Sequence, residues 1–388
     1  MSTDNRIKNL EDHVAFSSRE INEDVTEADY NIFLKIVSAD LSPVQKNLIV
    51  SPELVLPQQE ALLAIHWHPE NIPMELIKKR IGLMYPKKRN ELIIPTQHNI
   101  MTSYNGYTGV EVDAFSKGFN QKVQLLLHFK SERVEEAGVL KQMLSHTFKY
   151  RSTQFYDFLN TVTKPDEDRL EAAARETGAG DSLIRFVRVY AKKLEAMLDK
   201  YSDIVPPEMI KNKLLRNLFN ELRDEHGDNL IDRVQTFLAA VKKIVKKNFP
   251  TQYFYRTSEI IEEARSLGAG IVIPHPEQFW PILLADYDVD GVEVWNPQSQ
   301  RYTEFLVSAL HSKNLIRTSS RKRLIFFMGD DTHMGEKIIP FTQQNGEKAS
   351  REIGYQPAWD DMDIKKALIL ADMDRESVIN EYRDRLGS

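Results

Sequence analysis

The chain has 388 residues, of which 41 % are hydrophobic and 28 % charged, and its formal net charge of −6 argues against a broad nucleic-acid-coating surface. It contains no cysteine, which excludes disulfides and thiolate metal sites and leaves His, Asp and Glu as possible metal ligands. No apolar run approaches the roughly 20 residues needed to cross a bilayer, and the polar start MSTDNRIKNLEDH lacks a signal-peptide core. We therefore expect a cytoplasmic protein that does not bind membranes.

Residues 1–60 form a predicted N-terminal helical extension. An apolar stripe of Tyr30, Phe33 and Ile36 predicts a helix over residues 27–39. Such stripes usually pack against a protein core, so we expect this helix to pack against the predicted barrel rather than to bind a partner.

A short strand is predicted at residues 62–65, and it ends in the sequence His66-Trp-His68. Side chains two apart on a strand point to the same face, so both imidazoles should project together. A predicted helix and a second strand that ends near His98 follow, and the strand-helix-strand pattern is typical of parallel sheets.

Two further strands complete the first part of the predicted barrel, residues 61–130. The strand at 109–115 carries Glu111, and the alternating run at 122–129 contains His128. We expect His128 either to bind metal or to cap a sheet edge.

Residues 131–255 differ from the rest because they are dominated by long amphipathic helical patterns, for example at 183–201 and 214–222. We interpret them as a helical insertion or lid. Lids over active sites exclude water and select substrates, so this segment is expected to set specificity.

Residues 256–345 return to alternating helices and strands and form the second part of the predicted barrel, followed by a helical tail at 346–388. Each predicted strand here brings an imidazole or a carboxylate to its end: His275, Glu293, and the group Asp330, Asp331 and His333. In a parallel barrel such strand ends converge on one rim. Imidazole with carboxylate is the ligand set of zinc, manganese or iron.

The series of strand endings resembles the PHP (polymerase and histidinol phosphatase) domain family of metal-dependent phosphoesterases. The order is similar throughout: a His-x-His pair, a lone His, a Gly-x-Glu, a His-Pro, and a final Asp-x-His. The resemblance covers roughly residues 60–130 and 256–340. It implies an α/β fold, a distorted, TIM-like (β/α)7-type PHP barrel with a large helical insertion.

The resemblance also implies a function and its residues. The expected activity is hydrolysis of a phosphomonoester, or of a nucleotide or short nucleic-acid phosphate, by a metal-activated hydroxide, with two or three divalent ions (Mn, Zn or Fe). Glu111, Asp331 and His333 are the candidate catalytic residues. The implied metal ligands are His66, His68, His98, Glu111, His275, Asp331 and His333. Arg301, a few residues beyond the Glu293 strand, is the candidate phosphate-binding residue, since guanidinium binds phosphate oxygens bidentately.

Three positions depart from the family pattern and keep alternatives open. Pro73 stands where an Asp is expected, Gln97 replaces the Asp of a Thr-Asp-His, and Gln124 stands where a further metal histidine is common. These departures favour a barrel that has lost turnover and serves as a binding or regulatory module. A metal-dependent amidohydrolase, which shares the His-x-His, is the other alternative.

Overall fold

The structure, a computed structural model, describes the following residues: 22–164, 166–317, 322–339 and 344–387. Residues 1–21 of the predicted N-terminal extension lie outside them. No helix among the described residues combines the length and the apolar character that a membrane crossing requires.

Within this part of the chain, the strands are β1 (Ala61–Ala64), β2 (Trp67–His68), β3 (Asn90–Ile93), β4 (Thr102–Tyr104), β5 (Tyr107–Ser116), β6 (Gln121–Lys130), β7 (Gly270–Ile273), β8 (Gly291–Trp295), β9 (Ile325–Met328) and β10 (Thr332–His333). The α-helices are α1 (Glu27–Val37), α2 (Pro43–Val50), α3 (Met74–Met84), α4 (Gly138–Phe148), α5 (Tyr150–Thr163), α6 (Glu167–Thr177), α7 (Asp181–Lys200), α8 (Lys213–Glu221), α9 (Arg223–His226), α10 (Asp228–Asn248), α11 (Thr257–Ser266), α12 (Thr303–Ile316), α13 (Gly346–Ala349), α14 (Met362–Leu370) and α15 (Arg375–Gly387).

The chain divides into two compact units, one helical and one α/β. The helical unit comprises the described residues of 22–40 and 149–250, which carry α1 and α5 to α10. The apolar stripe of α1 packs into the core of this unit, where Phe33 is fully buried together with Phe155 and Phe186. Contacts therefore group α1 with the inserted helices, whereas the sequence pattern placed it in a separate extension of residues 1–60.

The α/β unit comprises the described residues of 41–148 and 251–387. Its strands pair in three sets: β1 with β3, β2 with β10, and the six-stranded sheet β4-β5-β6-β7-β8-β9. The pairs β1–β3, β2–β10, β7–β8 and β8–β9 are parallel. The fold is thus mixed α/β, and the pairings among the described strands do not join into a closed barrel.

The middle of the large sheet differs from the parallel arrangement expected for a barrel. Strands β4, β5, β6 and β7 are consecutive antiparallel neighbours. Only residues 117–120 separate β5 from β6, and a connection this short can join antiparallel strands only, because a parallel crossover needs a dozen or more residues. Asn120 adopts a φ of 49° in this turn.

Candidate metal centre

Strand pairing brings the two ends of the α/β unit's sequence together at one place. Strands β2 and β10 pair in parallel with His68 opposite His333. His98 forms an isolated bridge with Glu111 of β5. His275 follows the end of β7, and Asp331 lies between β9 and β10.

Glu111 lies among four imidazoles, two near each carboxylate oxygen. Its Oε2 atom is 2.5 Å from Nδ1 of His98 and 3.6 Å from Nε2 of His68. Its Oε1 atom is 3.5 Å from Nε2 of His275 and 4.0 Å from Nε2 of His66. Glu111 itself is 1 % exposed. Each oxygen of this buried carboxylate is therefore close to two imidazole nitrogens.

Asp331 provides the second carboxylate of the cluster. Its Oδ1 atom lies 3.6 Å from Nε2 of His66, 3.4 Å from Nε2 of His68 and 3.5 Å from Nε2 of His333. The structure therefore brings the candidate ligands from both ends of the unit into one cluster.

Several atoms of this cluster are buried without a hydrogen-bond partner among the described residues. They include Nε2 of His66, Nε2 of His68 and Nδ1 of His275. Buried polar groups are almost always paired, and a role in binding an ion is one reason for an exception. Nitrogen and oxygen atoms of His66, His68 and Glu111 lie within 4.8 Å of one another, as do those of His68, His98 and His333. The residues therefore fit divalent metal ions.

Neighbouring carboxylates fix the orientation of two imidazoles. Nδ1 of His66 is 2.6 Å from Oε1 of Glu293, and Nδ1 of His333 is 3.3 Å from Oε1 of Glu70. In each pair the histidine nitrogen facing the cluster is Nε2. Carboxylate-histidine pairs of this kind set the tautomer of metal-ligating histidines.

Gln97, at the position that departs from the family pattern, accepts a hydrogen bond from the backbone N–H of Glu70 at 3.1 Å. The side chain of Gln97 therefore helps to fix the backbone of the loop that carries Glu70. The Pro73 position, where an acidic residue was expected, is the N-cap of α3.

The electrostatics of the cluster keep its carboxylates anionic. Burial raises the pKa of Glu111, but the surrounding imidazoles, His98 first, outweigh it and hold the pKa well below its ordinary value. Burial also raises the pKa of Asp331, but its hydrogen bonds with His333 and His68 outweigh burial and hold the pKa well below its ordinary value. Carboxylates must be deprotonated to bind metal, so both are ready to do so.

The imidazoles of His66 and His68 differ in their pKa values. Burial lowers the pKa of His66, but Glu293 outweighs it and raises the pKa to about 10. Burial and the adjacent imidazoles, His333 first, lower the pKa of His68 to about 3. A metal ion would therefore compete with a proton at His66 but meet a neutral ring at His68.

Four of the seven non-glycine residues that have positive φ angles in the described part of the chain lie in the cluster or next to it in the sequence or in space. Glu70, Asn99, His275 and Asp331 all have positive φ angles, of 52°, 56°, 27° and 46°. Residues other than glycine rarely adopt positive φ angles, and those that do are often found at functional sites.

No model of a known protein family matches the chain, and no curated protein matches it at a significant level. Among solved structures, it is similar to the 2.40 Å crystal structure described as "a putative metal-dependent phosphoesterase" from Bifidobacterium adolescentis. The TM-score is 0.37 at 14 % identity, over 82 % of this chain and 98 % of that chain. A similarity of this size establishes neither a fold family nor an activity for this chain.

Two sequence candidates occupy other surroundings. His128 is buried, with Nδ1 2.7 Å from the hydroxyl of Tyr382 and Nε2 2.9 Å from the carbonyl oxygen of Ile65. Both of its nitrogens thus have partners outside the cluster, and His128 lies on β6 between β5 and β7 rather than at a sheet edge. Arg301 is exposed, and its guanidinium lies 4.6 Å from the ring centroid of Tyr302.

Sequence reasoning missed two residues that contact the cluster. Nε2 of Gln298 and Nη1 of Arg351 each lie 2.8 Å from Oδ2 of Asp331. Arg351 belongs to the C-terminal tail of residues 346–388, in which the sequence predicted no site residue. No strand ending or spacing marks either residue.

Proposed function

We propose that this protein is a metal-dependent phosphoesterase with a PHP-like fold, acting on a small phosphorylated substrate such as a phosphomonoester, a nucleotide or a short oligonucleotide. The observation that carries the proposal is the buried cluster in which Glu111 and Asp331 face imidazole nitrogens that lack hydrogen-bond partners among the described residues. Taking two carboxylates out of water is costly unless positive charge compensates them. Divalent ions would supply that charge.

The proposed ligand sets follow the contacts of the two carboxylates. Glu111 would contribute to holding two ions. His66, His68 and Asp331 would hold one of them, and His275 would hold the other. His98 and His333 are the candidates for a third ion.

When bound, a pair of divalent ions lowers the pKa of water enough to provide a nucleophile near neutral pH and neutralises phosphoryl oxygens. The chain's own residues prepare this chemistry. Glu293 holds His66 with Nε2 toward the cluster, and Glu70 does the same for His333. Asp331 remains anionic beside three imidazoles. Glu111, Asp331 and His333 are accordingly the proposed catalytic residues.

Within the cluster, His98 and His333 are the histidines with the most solvent-exposed side chains. The side chains of His98 and His333 are 22 % and 21 % exposed, whereas those of His66, His68 and Glu111 are at most 1 % exposed. A substrate phosphate is therefore expected to enter beside His98 and His333. Arg301 is exposed and is the proposed phosphate-binding residue.

Metal content and hydrolysis test the proposal directly. Protein purified without chelator should contain transition metal by elemental analysis and, with added manganese, should hydrolyse an aryl phosphate or members of a nucleotide and sugar-phosphate panel. Glu111→Gln should abolish hydrolysis, and His311→Ala, on α12 and outside the cluster, should not. A protein that contains no metal and whose melting temperature no added metal shifts would show that the proposal is wrong.

The same experiment separates the alternatives. Metal binding without hydrolysis of any phosphate ester would favour a binding or regulatory module, which the departures at Pro73, Gln97 and Gln124 allow. Hydrolysis of amides but not of phosphate esters would favour a metal-dependent amidohydrolase.

A further inference from the structure

The two carboxylate oxygens of Asp331 have different surroundings. Oδ1 faces the imidazoles of His66, His68 and His333. Oδ2 accepts hydrogen bonds from Nε2 of Gln298 and Nη1 of Arg351, both at 2.8 Å. One oxygen is therefore directed into the cluster, and protein donors hold the other.

Arg351 also holds the backbone of Asp331. The same Nη1 atom donates to the carbonyl oxygen of Asp331 at 3.2 Å. Asp331 has a φ of 46°, a conformation that surrounding contacts must maintain in a residue with a side chain. The side chain of Arg351 is only 2 % exposed, so it cannot meet a substrate in this arrangement. Its contacts act on Asp331.

A buried ionic network fixes the segment that carries Arg351. Arg80 donates to both carboxylate oxygens of Glu352, at 2.5 and 2.9 Å, and Lys337 donates to the same carboxylate at 2.7 Å. Lys337 also donates to the carbonyl oxygen of Arg351 at 2.6 Å. The two cations and the carboxylate of this network are buried. Their contacts fix the position of the Arg351 backbone.

We propose that Arg351 and Gln298 are positioning residues that reserve Oδ1 of Asp331 for a metal ion. The inference rests on the proposed metal centre. A carboxylate with both oxygens free can rotate or bind an ion through either or both oxygens, whereas donors on Oδ2 leave one oxygen in one direction. The guanidinium suits this role because its Nη1 atom donates to both the side chain and the backbone of Asp331 and because its charge does not titrate. Arg351 comes from the C-terminal tail and Gln298 from the loop after β8, whereas the other residues of the centre lie at or near strand ends.

The test measures manganese affinity in Gln298→Ala, Arg351→Met and Arg351→Lys. Metal-free protein is titrated with Mn²⁺ against a chromophoric chelator, and the visible spectrum of the Co²⁺-loaded protein reports the ligand geometry. Glu347→Gln is the matched control: Glu347 is 62 % exposed and contacts Nη2 of Arg351 at 3.0 Å, away from Asp331. Gln298 is also exposed, so its replacement does not endanger folding.

Arg351→Met should weaken manganese binding about 10- to 100-fold, the range found when groups that orient metal ligands are removed. Gln298→Ala should weaken it less, Arg351→Lys should recover part of the loss, and both alanine and methionine variants should shift the Co²⁺ spectrum. Glu347→Gln should bind as the wild type does.

The outcomes separate the two proposals. If the wild type binds manganese and Gln298→Ala and Arg351→Lys match it in affinity and Co²⁺ spectrum, the positioning role is wrong and the phosphoesterase proposal stands. A lower melting temperature of metal-free Arg351→Met, with an unchanged Co²⁺ spectrum in every folded variant, would likewise show a purely structural role. If the wild type takes up no metal, both proposals are wrong.

Discussion

The Nδ1 atom of His66 lies 2.6 Å from Oε1 of Glu293, and both side chains are buried. The other oxygen of Glu293 accepts a hydrogen bond from the backbone N–H of His275 at 2.9 Å. A single carboxylate therefore orients two proposed ligands that come from distant parts of the sequence. The role requires two acceptor atoms.

Glu293→Gln tests this requirement. Glutamine has nearly the same shape but one acceptor and one donor group, so it can satisfy either His66 or the N–H of His275 and must oppose the other with an NH₂ group. We expect metal affinity to fall about 10- to 100-fold, measured by chelator competition. Glu304→Gln, at an exposed position of α12, is the control. Equal affinities in the two variants would contradict the role of Glu293.

Asp330 and Asp331 are adjacent, but their substitution should have different consequences. Asp330 accepts hydrogen bonds from the backbone N–H of Gly354 at 2.8 Å and from Nε2 of Gln356 at 3.2 Å. Asp330→Asn should therefore lower the free energy of unfolding, by about 1–3 kcal/mol as for other buried hydrogen bonds, and leave metal affinity nearly unchanged. Asp331→Asn should lower metal affinity strongly. Urea unfolding and chelator competition on both variants check this, and the reverse pattern would contradict the assignment.

Local patterns in the sequence are enough to place several of the cluster residues at or near strand ends. The apolar runs that end at His66 and before Asp331 identify strand ends, and the two-residue spacing of Asp331 and His333 predicts a shared direction. The parallel pairing of β2 with β10 then places His333 opposite His68. Strand ends and the direction of side chains two residues apart can thus be predicted from the sequence, because both follow from local hydrophobic periodicity.

Other features depend on contacts that no local pattern contains. Arg351 and Gln298 reach Asp331 from a tail and a loop. The double role of Glu293 depends on where β8 lies beside β7. The hairpin of β5 and β6 could have been inferred from its short turn, but the expectation of a parallel barrel took precedence. The hydrogen bond of His128 has a distant partner, Tyr382, 254 residues away in the sequence.

His128 should contribute a pH-dependent term to stability. It is buried and neutral, with Nε2–H donating to Ile65 and Nδ1 accepting from Tyr382, and burial lowers its pKa to about 3. The unfolded chain holds this ring at a pKa of about 6.5, so between these values the unfolded state binds more protons and the folded state loses stability as pH falls.

Comparison of pH 7.5 with pH 5 in metal-free protein isolates this term. The loss of unfolding free energy on acidification should be smaller by about 2 kcal/mol in His128→Gln than in the wild type. Tyr382→Phe, which retains the imidazole, should keep the wild-type pH dependence at lower overall stability. Urea unfolding at both pH values provides the measurement. Metal content should be unchanged in His128→Gln, and a loss of metal would restore His128 as a ligand.

The division into two units predicts that the metal centre is independent of the helical unit. All the proposed ligands belong to the α/β unit. A variant that lacks residues 1–40 and carries a short Gly/Ser linker in place of 149–250 removes the helical unit as a whole, including α1, whose Phe33 packs in that unit's core. We expect this variant to bind metal with near wild-type stoichiometry, measured by elemental analysis. Its preference among phosphorylated substrates should change, because inserted helical segments act as lids that select substrates. Loss of metal from a variant that remains folded by circular dichroism would instead show that the helical unit completes the site.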